Sequence, residues 1–387
     1  MKLTYLFKEF FRSEKTGGLL LILVTLVSLL IANSSFGDGY IGFWNTYIGG
    51  HSIGHWINDG LMTIFFLLIG LELEREIYNG ELSNFQNASF PFLSAIGGLF
   101  FPAAIFMLLN FGLPTQDGAG IPMATDIAFA IGILSLLGKR VPATLKIFLT
   151  ALAVIDDLGA IIIIAIFYTN ELSAMNLFIS LGIFGLLLAL KRMKVWNLIP
   201  YLLGGVAMWY FMLNSGVHAT ITGVLLAFAI PFGDSNEHSP SFKLEHAIHK
   251  PVAFFILPLF ALANTCIPIA ADWYNNLADH NSLGIILGLV IGKPVGIFLI
   301  SFIGVKLGWA RIPQNLQWKH IVGVGFLAGI GFTMSIFVTL LAYEDEILIN
   351  NSKIAILVAS LIAGIVGFFL LKWTLPQTLS EKETEEI

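Results

Sequence analysis

Residues 145–168 read LKIFLTALAVIDDLGAIIIIAIFY, an apolar run with two adjacent aspartates, Asp156 and Asp157, at its centre. As a helix rising about 1.5 Å per residue it reaches roughly 36 Å, enough to cross a hydrocarbon core about 30 Å thick. The pair then lies near mid-bilayer, where one carboxylate costs at least ~2.5 kcal/mol and two neighbours also repel each other. The rest of the chain must explain how they are tolerated.

Composition supports a membrane protein before any motif is considered. Of 387 residues, 57% are hydrophobic and 12% charged, against roughly 25% charged in soluble domains. The net charge of -5 comes without a block of like charges and the basic residues fall in small separated groups, which argues against a nucleic-acid partner. The single Cys266 excludes an intramolecular disulfide and a Cys-rich metal site.

The basic, aromatic arm MKLTYLFKEFFRSEK runs into the apolar segment Gly17 to Asn33, which reads as an uncleaved first helix rather than a signal peptide. Further apolar segments run at 56–78, 90–110, 120–137, 145–168, 174–190, 198–214, 216–232, 251–271, 283–305, 320–342 and 353–373, twelve spans in all. If they alternate, eighteen of the twenty Lys and Arg fall on one side: Lys2, Lys8, Arg12 and Lys15; Arg75; Lys139, Arg140 and Lys146; Lys191, Arg192 and Lys194; Lys243 and Lys250; Lys306, Arg311 and Lys319; Lys372 and Lys382. The opposite loops hold Lys353, and Lys293 lies inside a span. This bias puts both termini in the cytoplasm. No long linker divides the chain, so residues 1–387 are expected to form a single transporter domain, with a cytoplasmic arm over 1–16 and a cytoplasmic tail over 374–387. The outer loop Ser34 to His55 reads equally as a short hairpin or an irregular loop.

Two spans are interrupted alike. Gly120 to Gly138 carries Pro122, Thr125 and Asp126 in its first half, and Gly323 to Ala342 carries Gly325, Gly329 and Gly331. Pro and Gly weaken a helix interior, and freed backbone groups at membrane depth survive only where protein or a wet cavity satisfies them. Paired broken helices are a pointer to a transporter binding site, a general rule whose known examples include NhaA; Gly-lined helix packing is the plainer reading.

Adjacent helical residues point about 100° apart, so Asp156 and Asp157 are expected to play different roles. Lys293, in IGKPVGI, is the cation buried in another span and the natural counter-charge for one aspartate; Pro294 beside it removes a backbone donor. Asp126 suits either of two roles, compensating the positive end of a half-helix or touching a cation. Asp157, Asp156 and the Thr125 hydroxyl form an oxygen set for a hard cation rather than zinc or copper. His218, in SGVHATITG, reads as a packing histidine. Glu72, Glu74, Arg75 and Glu76, with Glu245, His246, His249 and Lys250, gather on the cytoplasmic side as a solvated rim or a pH-responsive cluster.

The segments ATDIAFA, LTALAVIDDLGAIIIIAIFYT, IGKPVGI, GIGFTMSIF, SGVHAT and KLEHAIH resemble the NhaA family of sodium/proton antiporters, in order and over nearly the whole chain. The resemblance implies an all-α polytopic membrane protein of the bacterial inner membrane, with twelve transmembrane helices, inverted repeats and two broken, crossing helices. It implies Asp157 as the principal cation ligand and Asp156 as its neighbour, paired with Lys293 when cation is absent. Thr125 and Asp126 then belong to one unwound helix, and Gly329, Gly331 and Thr333 to the other. Glu72, Arg75, Glu76, Glu245 and His249 correspond to the family's pH-sensing funnel. Glu74 stands where the family often carries a basic residue, and the loop after span one is short for the hairpin that joins family dimers. A homodimer is nonetheless expected.

The expected activity is electrogenic export of Na+ or Li+ against inward H+, with no cofactor and no enzymatic reaction. A sodium-driven organic-solute symporter is the alternative on a similar scaffold. An intramembrane aspartyl protease needs its two aspartates on separate helices, which IDDLGA does not provide.

Overall fold

The computed structural model describes residues 2–168, 172–233, 239–269 and 273–376, with side chains from Thr16 onward except Glu81 and Phe85. The end of the expected ninth span at 270–271, the expected tail from residue 377, and the side chains of Lys2, Lys8, Arg12, Lys15 and Lys382 lie outside the described residues.

The helices, in order, are α1 (Lys2–Ala32), α2 (Gly37–Trp44), α3 (Ile53–Asn79), α4 (Phe85–Asn110), α5 (Ile127–Ser135), α6 (Ala143–Phe167), α7 (Ala174–Arg192), α8 (Ile199–Leu213), α9 (Ile221–Ala229), α10 (Pro240–Asn264), α11 (His280–Lys306), α12 (Trp318–Ala328), α13 (Phe332–Ala342) and α14 (Glu346–Thr374). A 3₁₀ turn, Gln116–Met123, precedes α5. Each of the twelve expected segments meets a helix or a helix pair, and the chain is an α-helical, multi-pass membrane protein.

Helix length and composition give an approximate count of the full-length spans. Eight described helices are long and apolar enough to cross, or ten if each bent pair counts as one span. The expected seventh and eighth spans hold the 15-residue α8 and the 9-residue α9, each shorter than its apolar segment. Turns at 214–220 consume the residues that the apolar count had assigned to helix.

The expected outer loop, Ser34 to His55, holds both α2 and a hairpin. Strands β1 (Tyr47–Ile48) and β2 (His51–Ser52) pair antiparallel, Tyr47 opposite Ser52. Gly49 and Gly50 turn between them at φ of 63° and 94°, the left-handed conformation that a two-residue hairpin loop requires.

The described chain forms two compact units, each assembled from separated stretches. The first contains residues up to Ser34, Asn84–Ala160 and the chain from Ile267; the second contains Ser35–Ser83 and Ile161–Cys266. In the first, α4 and α11 meet backbone to backbone: a Cβ on Gly296 would fall 2.1 Å from the Gly97 carbonyl oxygen. The hydroxyls of Ser94 and Ser301 join at 2.7 Å on the same seam. Small residues suit this setting, since between lipid-solvated helices close van der Waals packing replaces the hydrophobic drive. The second unit uses the same device at Gly223, whose Cβ would lie 2.2 Å from the Thr63 carbonyl oxygen of α3. Its apolar core gathers Leu71, Leu187, Tyr201, Met208 and Leu226.

Candidate functional site

Two chain breaks meet in the first unit. One is the extended stretch 124–126 between the 3₁₀ turn and α5; the other is Gly329 to Gly331 between α12 and α13, which are bent by 48°. Their backbones satisfy each other. The Asp126 N–H donates to the Ile330 carbonyl at 2.7 Å, and the Ser335 hydroxyl donates to the Ile121 carbonyl at 2.7 Å. Gly329 is required by proximity rather than by dihedral, because its Cβ would sit 2.3 Å from the Leu289 carbonyl oxygen.

Asp126 caps both second halves. Its Oδ1 accepts from the Phe129 N–H at 2.9 Å in α5. Its Oδ2 accepts from the Thr333 N–H at 3.0 Å and from the Thr333 hydroxyl in α13. One carboxylate thus faces the positive ends of two helices, where each N-terminus carries roughly half a unit charge. Of the two roles open to Asp126, this geometry favours dipole compensation.

Lys293 and Asp156 meet beside the crossing. The Lys293 ammonium donates to Asp156 Oδ2 at 2.5 Å and to the Thr125 hydroxyl at 2.8 Å. Thr125 Oγ1 also lies 2.8 Å from Asp156 Oδ2 and 2.9 Å from the Ala328 carbonyl, and its single proton serves one of them at a time. Asp156 and Lys293 have no exposed surface, and Asp157 has 1%. Lys293 begins the regular turn after a π-helical stretch, Gly288–Gly292, so Pro294 is accommodated without breaking α11. Asp156 Oδ1 has no hydrogen-bond partner among the described residues. It faces Gly98 of α4, where a Cβ would stand 3.7 Å away. An acceptor oxygen in that state suits a bound cation.

In the polar group of the second unit Glu72, Glu74 and Glu245 are buried, Arg75, Glu76 and His249 are half-buried, and His246 and Lys250 are exposed. Arg75 pairs with Glu245 and lies 3.4 Å from Glu76, and His249 Nδ1 is 3.6 Å from Glu72. Glu74 accepts from Lys191 at 2.9 Å, and Ser241 is 3.4 Å from its other oxygen. Lys191 also donates to the Phe228 carbonyl at 2.9 Å. His218 is hydrogen-bonded to the Tyr168 backbone and close to Asp59.

A family model described as Na+/H+ antiporter 1 matches residues 8–371. The chain belongs to that family. A protein of Flavobacterium johnsoniae named Na(+)/H(+) antiporter NhaA 1 is 68% identical over 375 residues, covering 97% of this chain and 98% of the relative. NhaA antiporters of Flavobacterium psychrophilum and Cytophaga hutchinsonii are 64% and 60% identical, covering 99% and 100% of this chain and the whole of each relative. In this member of the antiporter family, sequence reasoning missed Lys191 and Ser241 as partners of Glu74, and Ser335 as a link between the breaks. In the sequence Lys191 stands only as one of the basic residues that set the orientation. Its reach back to a buried carboxylate had no sequence signal beyond the unusual Glu74.

Proposed function

We propose that this chain is a secondary active Na+/H+ antiporter of the bacterial inner membrane, working as one transporter domain with both termini cytoplasmic. The observation that carries the proposal is the buried Asp156–Lys293 pair beside the unpartnered Asp156 Oδ1, set at the crossing of two broken helices. Asp157 and Asp156, with the Thr125 hydroxyl, are the ligand set for Na+ or Li+, and the same carboxylates take up protons when the ion leaves. Cation and proton compete for one site. Lys293 holds Asp156 when the cation is absent and yields it when the cation binds.

Exchange of two protons inward per Na+ outward moves one net charge, and a potential of 100 mV then contributes ~2.3 kcal/mol per cycle. A tenfold sodium gradient opposes by only ~1.4 kcal/mol. Export therefore proceeds without a pH gradient and depends on voltage. Glu72, Arg75, Glu76, Glu245 and His249 are the pH-responsive cluster, in which His249 faces the Glu72 carboxylate on another helix. A homodimer through the outer hairpin is supported by Tyr47 and Ile48, which stand exposed on β1. The relatives are named antiporters, and nothing among the described residues favours solute symport.

The test is a fluorescent pH assay in everted vesicles with Na+, Li+ or K+ added, comparing the native protein with Asp157→Asn. Salt-evoked alkalinisation in the native protein alone supports antiport. Equal responses, or uptake of an organic solute driven by sodium, overturn it.

A further inference from the structure

A buried hydrogen-bond knot ties together the ends of both broken spans some way from the ion site. Tyr343, the residue that ends α13, is 6% exposed, and its hydroxyl lies 2.8 Å from the Thr115 carbonyl and 2.8 Å from Asn281 Oδ1. Thr115 precedes the 3₁₀ turn that forms the first half of the other broken span. Around this centre, Asn281 donates to Ser352 of α14 at 2.8 Å. Thr115 donates to Asn110 of α4 at 2.6 Å, and Asn110 donates to the His280 carbonyl of α11 at 2.9 Å. Gly118 makes the approach possible, for a Cβ there would fall 1.9 Å from the Tyr343 oxygen. Ten residues of helix separate Tyr343 from Thr333, a rise of roughly 15 Å, so Tyr343 touches no transported ion.

The hydroxyl has one proton and two acceptors. Only one of them can be served at a time. If the 3₁₀ turn moved away, the bond from Tyr343 to Thr115 would be exchanged for water, to which the half-buried Thr115 could turn its carbonyl. The closed state is then favoured by about the net worth of one neutral hydrogen bond, little enough for a gate that opens in every cycle.

We propose that Tyr343 is the positioning residue that closes the outer end of the crossing, its hydroxyl holding the Thr115 carbonyl in the closed state and releasing it when that end opens. The inference rests on the antiport reading and on the orientation with cytoplasmic termini.

The experiment reads sidedness rather than transport, so its failure is distinct from a failure of antiport. A reporter, Met123→Cys, is placed at the buried end of the 3₁₀ turn in a Cys266→Ser background. Alkylation by a membrane-impermeant maleimide is timed from outside in right-side-out vesicles and from inside in everted ones. Tyr343→Phe keeps the ring and removes only the hydroxyl. It should speed labelling from outside roughly two- to tenfold, the worth of one neutral hydrogen bond in the gating equilibrium, without speeding it from inside. Gly118→Ala, which displaces the hydroxyl and leaves it in the protein, should do the same and decides the matter if Tyr343→Phe does not reach the membrane. Unchanged outside labelling, or equal acceleration from both sides as general loosening would give, overturns the proposal.

Discussion

Replacing Asp126 by asparagine separates a helix-capping role from an ion-binding one. The two side chains have the same shape, but the amide has one acceptor oxygen where the carboxylate has two. If the amide oxygen stays toward Phe129, its NH2 faces the Thr333 N–H, a donor with no acceptor. If it flips, the Phe129 N–H is stranded instead. The Thr333 hydroxyl can rotate to accept, whereas the backbone donors cannot. Either way one buried donor is left unsatisfied, at about 1–3 kcal/mol. Loss of the negative charge before two helix N-termini adds about 0.3–2 kcal/mol. The expected destabilisation is therefore about 1.5–5 kcal/mol, read as a lower unfolding midpoint in detergent without sodium. Sodium affinity, measured by the ion's own stabilisation of the folded protein, should fall much less than it does in Asp157→Asn. A variant as stable as the native protein that loses sodium binding would refute the capping argument and make Asp126 a ligand.

Three further outcomes follow from the same geometry. Lys293→Met and Asp156→Asn should each destabilise by roughly 3–5 kcal/mol, because either leaves an uncompensated buried charge; the double variant should cost far less than the sum, and additive losses in unfolding experiments would exclude the pair. Gly296→Ala should destabilise by about 1–3 kcal/mol through overpacking, since its Cβ falls 2.1 Å from the Gly97 oxygen; an unchanged unfolding midpoint would mean that the α4–α11 seam is looser than described. Lys191→Met should destabilise by isolating the buried Glu74, and adding Glu74→Gln should recover most of the loss; no recovery would show that Lys191 acts through Phe228 instead.

Much of the architecture was legible because charge in an apolar run is conspicuous. Asp156, Asp157 and Lys293 stand out against their neighbours, and Pro122, Gly329 and Gly331 mark the breaks before any coordinate is known. Two kinds of feature were not legible. Hydropathy does not place the helix ends within 198–214 and 216–232, because apolar residues in tight turns score like apolar residues in helix, and α8 and α9 are shorter than those segments. Partnerships between distant segments were also hidden. Nothing in ATDIAFA states that its aspartate will cap a second helix more than 200 residues later, and nothing in LALKR states that Lys191 will reach back to Glu74. Glu72 and Glu74, expected in a rim, are buried for the same reason: α7 and α10 supply partners that a linear reading places in separate loops.

The charges at the crossing bear on how many ions the site exchanges. Asp126, Asp156 and Asp157 contribute three negative charges and Lys293 one positive charge. The N-terminal ends of α5 and α13 contribute roughly half a positive charge each, and the C-terminal ends of the 3₁₀ turn and α12 roughly half a negative charge each. The helix ends cancel, and about two negative charges are left over among the described groups. Two protons would bring the site to neutrality, whereas one sodium ion would leave it near minus one. That difference supports an exchange in which the two loaded forms differ by one charge. On the proposed reading the two protons belong to Asp156 and Asp157, while Asp126 stays held by Phe129 and Thr333.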